Sequence, residues 1–498
     1  MPSRPNVITK NANGAPANPS ADIVSACVVI APAYQGTLQT KQYSRRKQVY
    51  DQYLEGPLVR AAVHCIETAS LPVFTQRCEA TNDGTYATID VTGFNGSSTP
   101  AVLTGSVPRG EYELYFVCIT GGTVGTPGIT YRLSTAGGRG IDSKDIQRLG
   151  TATSVTFGDT GCGFEFGVGD INAGAVVQCQ TFGPTPSSNE LAASFATISE
   201  GDKLCGLVLL PWRVTPSYGP TISEGLDLLR DNGLPCRCIV QARRFDVDTD
   251  IDLETYRDNL EDEWSEVVDD RIVVVATDML FILADGSSTL SVPEKRLTGG
   301  AISFAARAIA TPLGRTTWAP SDGPIEGGSL VDSDGVLIGW NEPLGVQTRL
   351  QVFYRVPNAV SGRPTVPSKD FCLTDPTSSI KSLRVGRILD QVDRIVRSFA
   401  WNEVGLTAEV TISPDNTAQG VLSEDSRQDL IRRCAAKLES DPVLQSSVTN
   451  LSDSDLVTLE SNVTVEGDVV FLEFGTNINP RLGIGKITFT HNVRTEGN

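Results

Sequence analysis

Val469-Val470-Phe471-Leu472-Glu473-Phe474 reads as a buried strand, and a loop rich in Asn, Gly and Pro follows it from Gly475 to Gly483. Then comes Lys486-Ile487-Thr488-Phe489-Thr490-His491-Asn492-Val493. Ile487, Phe489, His491 and Val493 fall on one face of an extended chain, and Lys486, Thr488, Thr490 and Asn492 on the other. That period of two predicts a half-buried strand. Only five residues follow it. Chain ends usually fray, so a well-patterned strand at this place needs a partner. Two partners are open: the sheet of its own domain, or the sheet of another subunit.

Working outward, the 498 residues allow two or three domains, each with its own core. Hydrophobic residues at 40% and charged residues at 20% fit an ordinary soluble globular chain. A net charge of -18 argues against a phosphate-binding surface, which needs clustered Lys and Arg, so no nucleic-acid partner is expected. No apolar run approaches the about 20 residues of a membrane span, and no direct membrane insertion is expected. Met1 to Ser20 is polar and lacks the apolar centre of a signal peptide, which predicts synthesis and assembly in the cytosol. Most of the 11 cysteines stand in apolar or β-like surroundings and read as buried free thiols. The two histidines, His64 and His491, are far apart, the first in a predicted helix and the second in the terminal strand.

In chain order, residues 1–20 read as an arm. Asp22–Pro32 is predicted as a strand, Leu58–Thr68 as a helix and Leu71–Thr75 as a strand, an α/β opening. From about Cys78 to Thr181 helical spacing disappears. Short β runs separated by Gly, Thr and Ser replace it: Tyr86–Val91, Ala101–Leu103, Glu111–Ile119, Ile129–Leu133, Ser154–Phe157 and Ala175–Thr181. Strands at this spacing predict a β-sandwich or small barrel inserted into the α/β domain. An alternating series follows: helix Glu190–Ile198, strand Leu204–Leu210, helix Ser223–Arg230, strand Cys236–Gln241, helix Leu253–Val268 and strand Arg271–Ala276. This order implies parallel strands with right-handed crossovers. Ala301–Ala310 is a small-residue helix. Val336–Trp340 and Arg349–Tyr354 read as strands in a loop-rich stretch. The longest helical pattern runs from Ser379 or Ser382 to Phe399, with Val385, Ile388, Leu389, Val392, Ile395, Val396 and Phe399 as one apolar stripe. Arg384, Arg387, Asp390, Asp393, Arg394 and Arg397 cover its other side. A strand over Thr407–Ile412, a helix over Glu424–Leu438 and a strand over Val457–Val465 complete the chain before the closing strands.

The series invites a dinucleotide site, but no strand-to-helix turn carries G-x-G-x-x-G or G-x-x-x-x-G-K-[ST]. Asp246, Asp248, Asp250 and Asp252 alternate like the start of a calcium loop, but the turn Gly and the bidentate Glu are missing. A solvated loop whose last Asp caps the next helix accounts for them. Asp269 and Asp270 read as surface carboxylates after a helix end. No G-x-S-x-G occurs, and no His stands near a candidate Ser or Cys. No catalytic residue, cofactor or metal is expected.

Four segments carry a resemblance: Gly56-Pro57-Leu58-Val59 to Phe74; Gly121-Gly122-Thr123-Val124-Gly125-Thr126-Pro127-Gly128-Ile129-Thr130-Tyr131-Arg132-Leu133-Ser134; Leu149-Gly150-Thr151-Ala152-Thr153; and Arg384-Val385-Gly386-Arg387-Ile388-Leu389-Asp390 onward to the terminal strand. In them the chain resembles the contractile-tail sheath proteins of bacteriophages, over most of its length. The N-terminal arm is less family-like, and the acidic loop 246–252 has no counterpart. The resemblance implies the following fold class: α/β (α+β mixed), with a Rossmann-like βαβ core, a C-terminal α/β sheath domain and an inserted all-β domain. The expected division is 1–20 N-terminal arm, 21–77 with 185–375 α/β domain, 78–184 insert, 376–483 sheath core and 484–498 C-terminal arm. It implies a non-enzymatic structural subunit, assembled in the host cytoplasm into a virion tail of stacked hexameric rings. Implied partners are further copies of itself, a tail tube protein, and baseplate and tail terminator proteins. Val7 and Ile8 in one arm and Ile487, Phe489, His491 and Val493 in the other would join subunits. The rival expectations are another virion or injection-apparatus component, such as a baseplate part, and a Rossmann-like enzyme with a β accessory domain.

Overall fold

The computed structural model describes residues 26–94, 98–138, 146–201, 205–244, 250, 253–276, 278–283, 294–313, 328–331, 350, 353–355, 365–367, 371–374, 378, 380–403, 410–413, 416–466, 469–479 and 487–496. Its largest α/β unit is built on a six-stranded sheet in the order Ile272–Val275, Arg237–Gln241, Leu207–Arg213, Cys27–Pro32, Val73–Cys78, Lys41–Tyr43. The first five strands run parallel, as the alternating helix–strand order requires, and Lys41–Tyr43 is antiparallel at the edge. Cys27–Pro32, Arg237–Gln241 and Ile272–Val275 are buried at every residue, which is why Cys27–Pro32, Ile272–Val275 and the centre of Arg237–Gln241 read as apolar runs rather than as alternation. Helices cover the sheet in two pairs, Pro57–Ala69 with Gly300–Ala310 and Ser188–Glu200 with Gly219–Asp231. The second pair approaches closely because Gly225 has no side chain; a Cβ there would strike the Phe195 ring. Ser187 opens the Ser188–Glu200 helix with a capping box: its hydroxyl accepts from the Glu190 N–H and the Glu190 carboxylate accepts from its own N–H.

Between Cys78 and Phe182 the described elements are strands and one 3-10 turn, Gly158–Thr160, with a separate core around Tyr112, Leu114, Phe116, Phe164 and Val177. Asp170–Phe182 is the longest strand there, and it pairs with four others. Sequence reading begins it only at Ala175. The pairing shifts register between Ile171 and Val176, and Gly174 sits at φ +81, so apolar alternation is broken in its first half. The antiparallel sheet of Asp278–Leu283, Glu294–Gly299 and Gly328–Val331 has no counterpart in the sequence reading. Val336–Trp340 lies outside the described residues, and Phe353–Arg355 is the described part of the strand expected at Arg349–Tyr354.

All eleven cysteines are buried free thiols. Burial pushes Cys65, Cys78 and Cys434 up to about 12, so thiolate is scarce at neutral pH. His64 lies within the Pro57–Ala69 helix, 7% exposed, and burial lowers its pKa to about 4. The unfolded chain binds a proton here near pH 6.5 and the folded chain only near 4, so stability falls as pH drops through that window. The loss expected is roughly 3 kcal/mol by pH 4. Hydrogen exchange of the Pro57–Ala69 amides, corrected for intrinsic rates, should show local stability falling from pH 7 to 4.5 with a slope that His64→Gln reduces; an unchanged slope in the variant would refute the assignment.

Candidate assembly interface

The C-terminal sheet runs Val410–Ser413, Asn416–Leu422, Asn462–Glu466, Val469–Ile478, Val457–Leu459, and the terminal strand Ile487–Glu496 pairs on Val469–Ile478. The stretch Val457–Val465, expected as one strand, is two. They lie one after the other on the same strand, Asn462–Glu466 beside its first half and Val457–Leu459 beside its second. The other side of Val469–Ile478 is taken along all ten residues by the terminal strand, antiparallel. Ile487, Phe489, His491 and Val493 stand opposite Ile478, Thr476, Phe474 and Leu472. Each of those four partners is buried. Phe474 meets Phe399 of the Leu383–Glu403 helix edge-on, with ring centroids 6.1 Å apart at 85°. In this single chain, then, the terminal strand closes its own sheet and forms its edge. Val7 and Ile8, with the rest of the N-terminal arm, lie outside the described residues.

The point where the chain leaves this sheet is pinned by residues that the sequence reading passed over. Asn450 donates from Nδ2 to the Asn477 carbonyl at 2.9 Å and accepts from the Asn479 N–H at 2.7 Å. Asn477 donates to the Asp455 carbonyl at 2.6 Å, and the Thr449 N–H donates to the Asn479 carbonyl at 2.9 Å. These bonds hold the backbone through Asn479, so any swing of the terminal strand must take place in the residues after it.

The Leu383–Glu403 helix fixes how this sheet is presented. Its apolar stripe enters the C-terminal core as expected. Its charged side is not a solvated face: Arg384, Arg387, Asp390, Asp393 and Arg394 are all buried, and Arg387, Asp390 and Arg394 bond to the α/β unit. Arg237 of the parallel sheet donates to Asp390 from Nε at 3.0 Å and Nη2 at 3.3 Å, and Asp270 approaches the same guanidinium at 3.5 Å. Arg387 donates to the Ala308 carbonyl at 2.7 Å, and Arg394 to the carbonyls of Cys205 at 2.9 Å and Pro235. Burial opposes the charge on Arg237, but Asp390 and Asp270 outweigh it and raise its pKa. Burial raises the Asp390 carboxyl above its ordinary range, with Arg237 and Arg394 pulling against it, and Arg237 gives it two N–H bonds. A helix that looks amphipathic in sequence is thus enclosed on both sides, with two kinds of neighbour.

Other acidic residues also depart from expectation. Asp250 is fully buried, not part of a solvated loop; Arg243 grips it at 2.6 and 2.9 Å and Asn259 donates to it at 2.9 Å. Asp246, Asp248 and Asp252 lie outside the described residues. Asp269 is buried and paired with Arg271 at 2.7 Å, while Asp270 serves Arg237. Among the described residues no group of three or more His, Cys, Asp or Glu is placed to hold a metal ion, and no helix is long and apolar enough to cross a membrane.

No protein-family model and no curated protein matches the sequence. Solved structures do match it. The sheath tail protein of Desulfitobacterium hafniense aligns over 96% of this chain and 98% of its own, with a TM-score of 0.48 and 14% identity. The chain is similar to sheath tail proteins. That of Listeria innocua aligns over 95% of this chain and 98% of its own, with a TM-score of 0.46 and 11% identity. The sheath of an extracellular contractile injection system, PVC, in its contracted state aligns over 61% of this chain and 70% of its own, with a TM-score of 0.36 and 10% identity.

Proposed function

We propose that this chain is the structural subunit of a contractile tail sheath, polymerising as stacked hexameric rings around a tail tube and contracting to drive the tube through a host envelope. The observation that carries the reading is the terminal strand: ten residues paired on a sheet edge. It is joined to that sheet by the eight residues 479–486, which include one Pro and two Gly. The same strand suits the sheet of a second copy equally well. Exchange of identical strands conserves every ladder bond, so the ladder itself sets no preference between closing and donating. An eight-residue link spans at most roughly 26–29 Å. Several tethered strands in one lattice then act together through effective concentration. The segments Gly56–Phe74, Gly121–Ser134 and Arg384–Asp390, which resemble sheath proteins, support the same reading.

Under this proposal residues 21–77 with 185–375 form a Rossmann-like core, 78–184 an inserted β domain and 376–483 the sheath core. The arms are 1–20 and 484–498, with Val7, Ile8, Ile487, Phe489, His491 and Val493 between subunits. The tail tube, baseplate and tail terminator are the remaining partners, and the role is not enzymatic. Deleting 484–498 should abolish tubes in negative-stain micrographs while circular dichroism keeps its folded signature. Thr476→Cys with Phe489→Cys places two thiols opposite each other in the register. Oxidised tubes should then give ladders of linked chains on a denaturing gel. A linked single chain, in tubes of normal length, would show that the strand stays at home. Discrete rings without tubes would favour a baseplate component.

A further inference from the structure

The six-stranded sheet carries opposite charge at its two edges. Lys41–Tyr43 forms one edge, and the helix Arg46–Tyr53 follows it at once, with the Tyr43 and Tyr53 rings edge-on at 5.9 Å. Ile272–Val275 forms the other. The helix Leu253–Glu263 precedes it and is tied to its end by Tyr256, whose hydroxyl donates to the Ala276 carbonyl at 2.7 Å. Five strand spacings put about 24 Å between the edges. From Tyr34 to Tyr53 the chain has four basic residues, Lys41, Arg45, Arg46 and Lys47, and one acidic residue, Asp51. From Leu253 to Asp270 it has eight acidic residues and one basic. Both groups face outward. Lys41, Arg45 and Lys47 are exposed. On the acidic side the helix and the turn after it bury Tyr256, Leu260 and Trp264 in the α/β core and expose Asp258, Asp262 and Glu266 opposite them. Arg46 meets Glu67 at 3.1 Å, Lys47 meets Asp51 at 2.7 Å and Arg243 meets Glu263 at 2.7 Å. Surface pairs of this kind are screened by water, and they leave each edge its sign.

The placement also runs against what each helix needs by itself. A helix N-terminus favours anions and a C-terminus favours cations. The Arg46–Tyr53 helix has no acidic residue in its first turn and opens on Arg46 and Lys47. The Leu253–Glu263 helix has no basic residue in its last turn and closes on Glu261, Asp262 and Glu263. In both, the side chains add to the helix's own end charge instead of offsetting it. A local rule broken twice, with opposite sign at opposite edges, points to a purpose outside the single chain. An exposed apolar residue stands beside each group, Leu38 at 44% and Val268 at 67%. The two surfaces complement each other in charge but lie on opposite sides of one body, which cannot bring them together. Copies can, head to tail, and such a contact closes into a ring where its rotation allows. We propose that the basic edge formed by Lys41–Tyr43 and the start of the Arg46–Tyr53 helix docks on the acidic Leu253–Glu263 helix of a second copy of this chain. This contact rests on the reading of the chain as a polymer-forming subunit and names the faces by which neighbours in one ring meet.

Charge reversal of the full chain tests it. One variant carries Lys41→Glu, Arg45→Glu and Lys47→Glu, and the other Asp258→Lys, Asp262→Lys and Glu266→Lys. All six positions are exposed, and both variants should keep the circular dichroism of the wild type. Each alone sets like charge against like, and in sedimentation at low salt should need a concentration about tenfold higher or more than the wild type to assemble. Mixed in equal amounts, the two should assemble as the wild type does, alternating from copy to copy. Added salt should weaken wild-type assembly and the mixture alike. Arg45→Glu and Asp262→Lys, paired in the same way, serve if a triple variant does not fold. Normal assembly of either variant alone, no rescue in the mixture, or a wild type that stays monomeric at low salt would overturn the contact. Its failure and that of the tube-forming reading are separable. Tubes from a charge-reversed variant alone would sink the contact and leave the reading in place; rescue of discrete rings that never stack into tubes would keep the contact and sink the reading.

Discussion

Asp390→Ala should lower the stability of the contact between the Leu383–Glu403 helix and the parallel sheet by about 3–5 kcal/mol, the cost of leaving a buried charge without its partner. Arg237 is 2% exposed and stays charged, raised above its ordinary range by Asp390 and Asp270 against the push of burial. Without Asp390 it keeps the Asp270 carbonyl at 2.5 Å and a carboxylate at 3.5 Å, and loses both Asp390 bonds. Arg394 loses a counter-charge as well. A chain of several cores does not unfold in one step, so the readout should be local. Hydrogen exchange of the Leu383–Glu403 amides should accelerate roughly a hundred- to several-thousand-fold. The double variant Arg237→Met with Asp390→Leu should restore most of the protection, because apolar replacement of a buried pair is often neutral. Acceleration below tenfold in Asp390→Ala would show that the pair is not what holds the helix.

The seam also bears on assembly. The terminal strand hangs on the sheet that this helix supports, and its partners Leu472, Phe474 and Ile478 share one core with Val396 and Phe399. If the strand is donated to a neighbour, force on it passes through that core to the helix and from there to Arg237. Directional bonds at fixed spacing resist sliding better than an apolar contact, which has no preferred register. This gives the buried charges a reason beyond stability.

Much of the architecture was legible where one period dominates. The apolar runs Val28–Ile30, Leu207–Leu210 and Ile272–Val275 announced buried parallel strands, and the helices between them followed from 3.6-residue spacing. The terminal strand was legible from Ile487, Phe489, His491 and Val493, but its partner was not, since period two states that a face is covered and not by which chain. Charged residues misled most. Arg384, Arg387, Asp390 and Arg394 stand opposite the apolar stripe, and what encloses them is distant in the chain: Arg237 for Asp390, the Ala308 carbonyl for Arg387, and the Cys205 and Pro235 carbonyls for Arg394. Asp250 was obscured in the same way, because alternation with Asp246, Asp248 and Asp252 suggests a solvated loop and does not disclose its bonds to Arg243. The one local hint at the seam was Gly386, a poor helix former in the first turn of the longest described helix.

That glycine supplies the second large effect. A Cβ at position 386 would collide with the Arg237 guanidinium, which has no room to retreat because Asp390 and Asp270 hold it. Gly386→Ala should therefore cost about 3 kcal/mol or more, by driving Arg237 off its two bonds to Asp390 or by shifting the helix. In an exposed helix the same change would gain about 1 kcal/mol, since alanine is the better helix former. The sign of the effect depends on Arg237, and that dependence is the test. In an Arg237→Ala background the obstacle is gone, and Gly386→Ala should become neutral or stabilising. Amide exchange of the Leu383–Glu403 helix in the wild type, both single variants and the double variant closes the cycle. A coupling of at least about 2 kcal/mol is expected between two residues that touch in this way. If Gly386→Ala costs the same with and without Arg237, the glycine is there for some other neighbour, and the seam does not account for it.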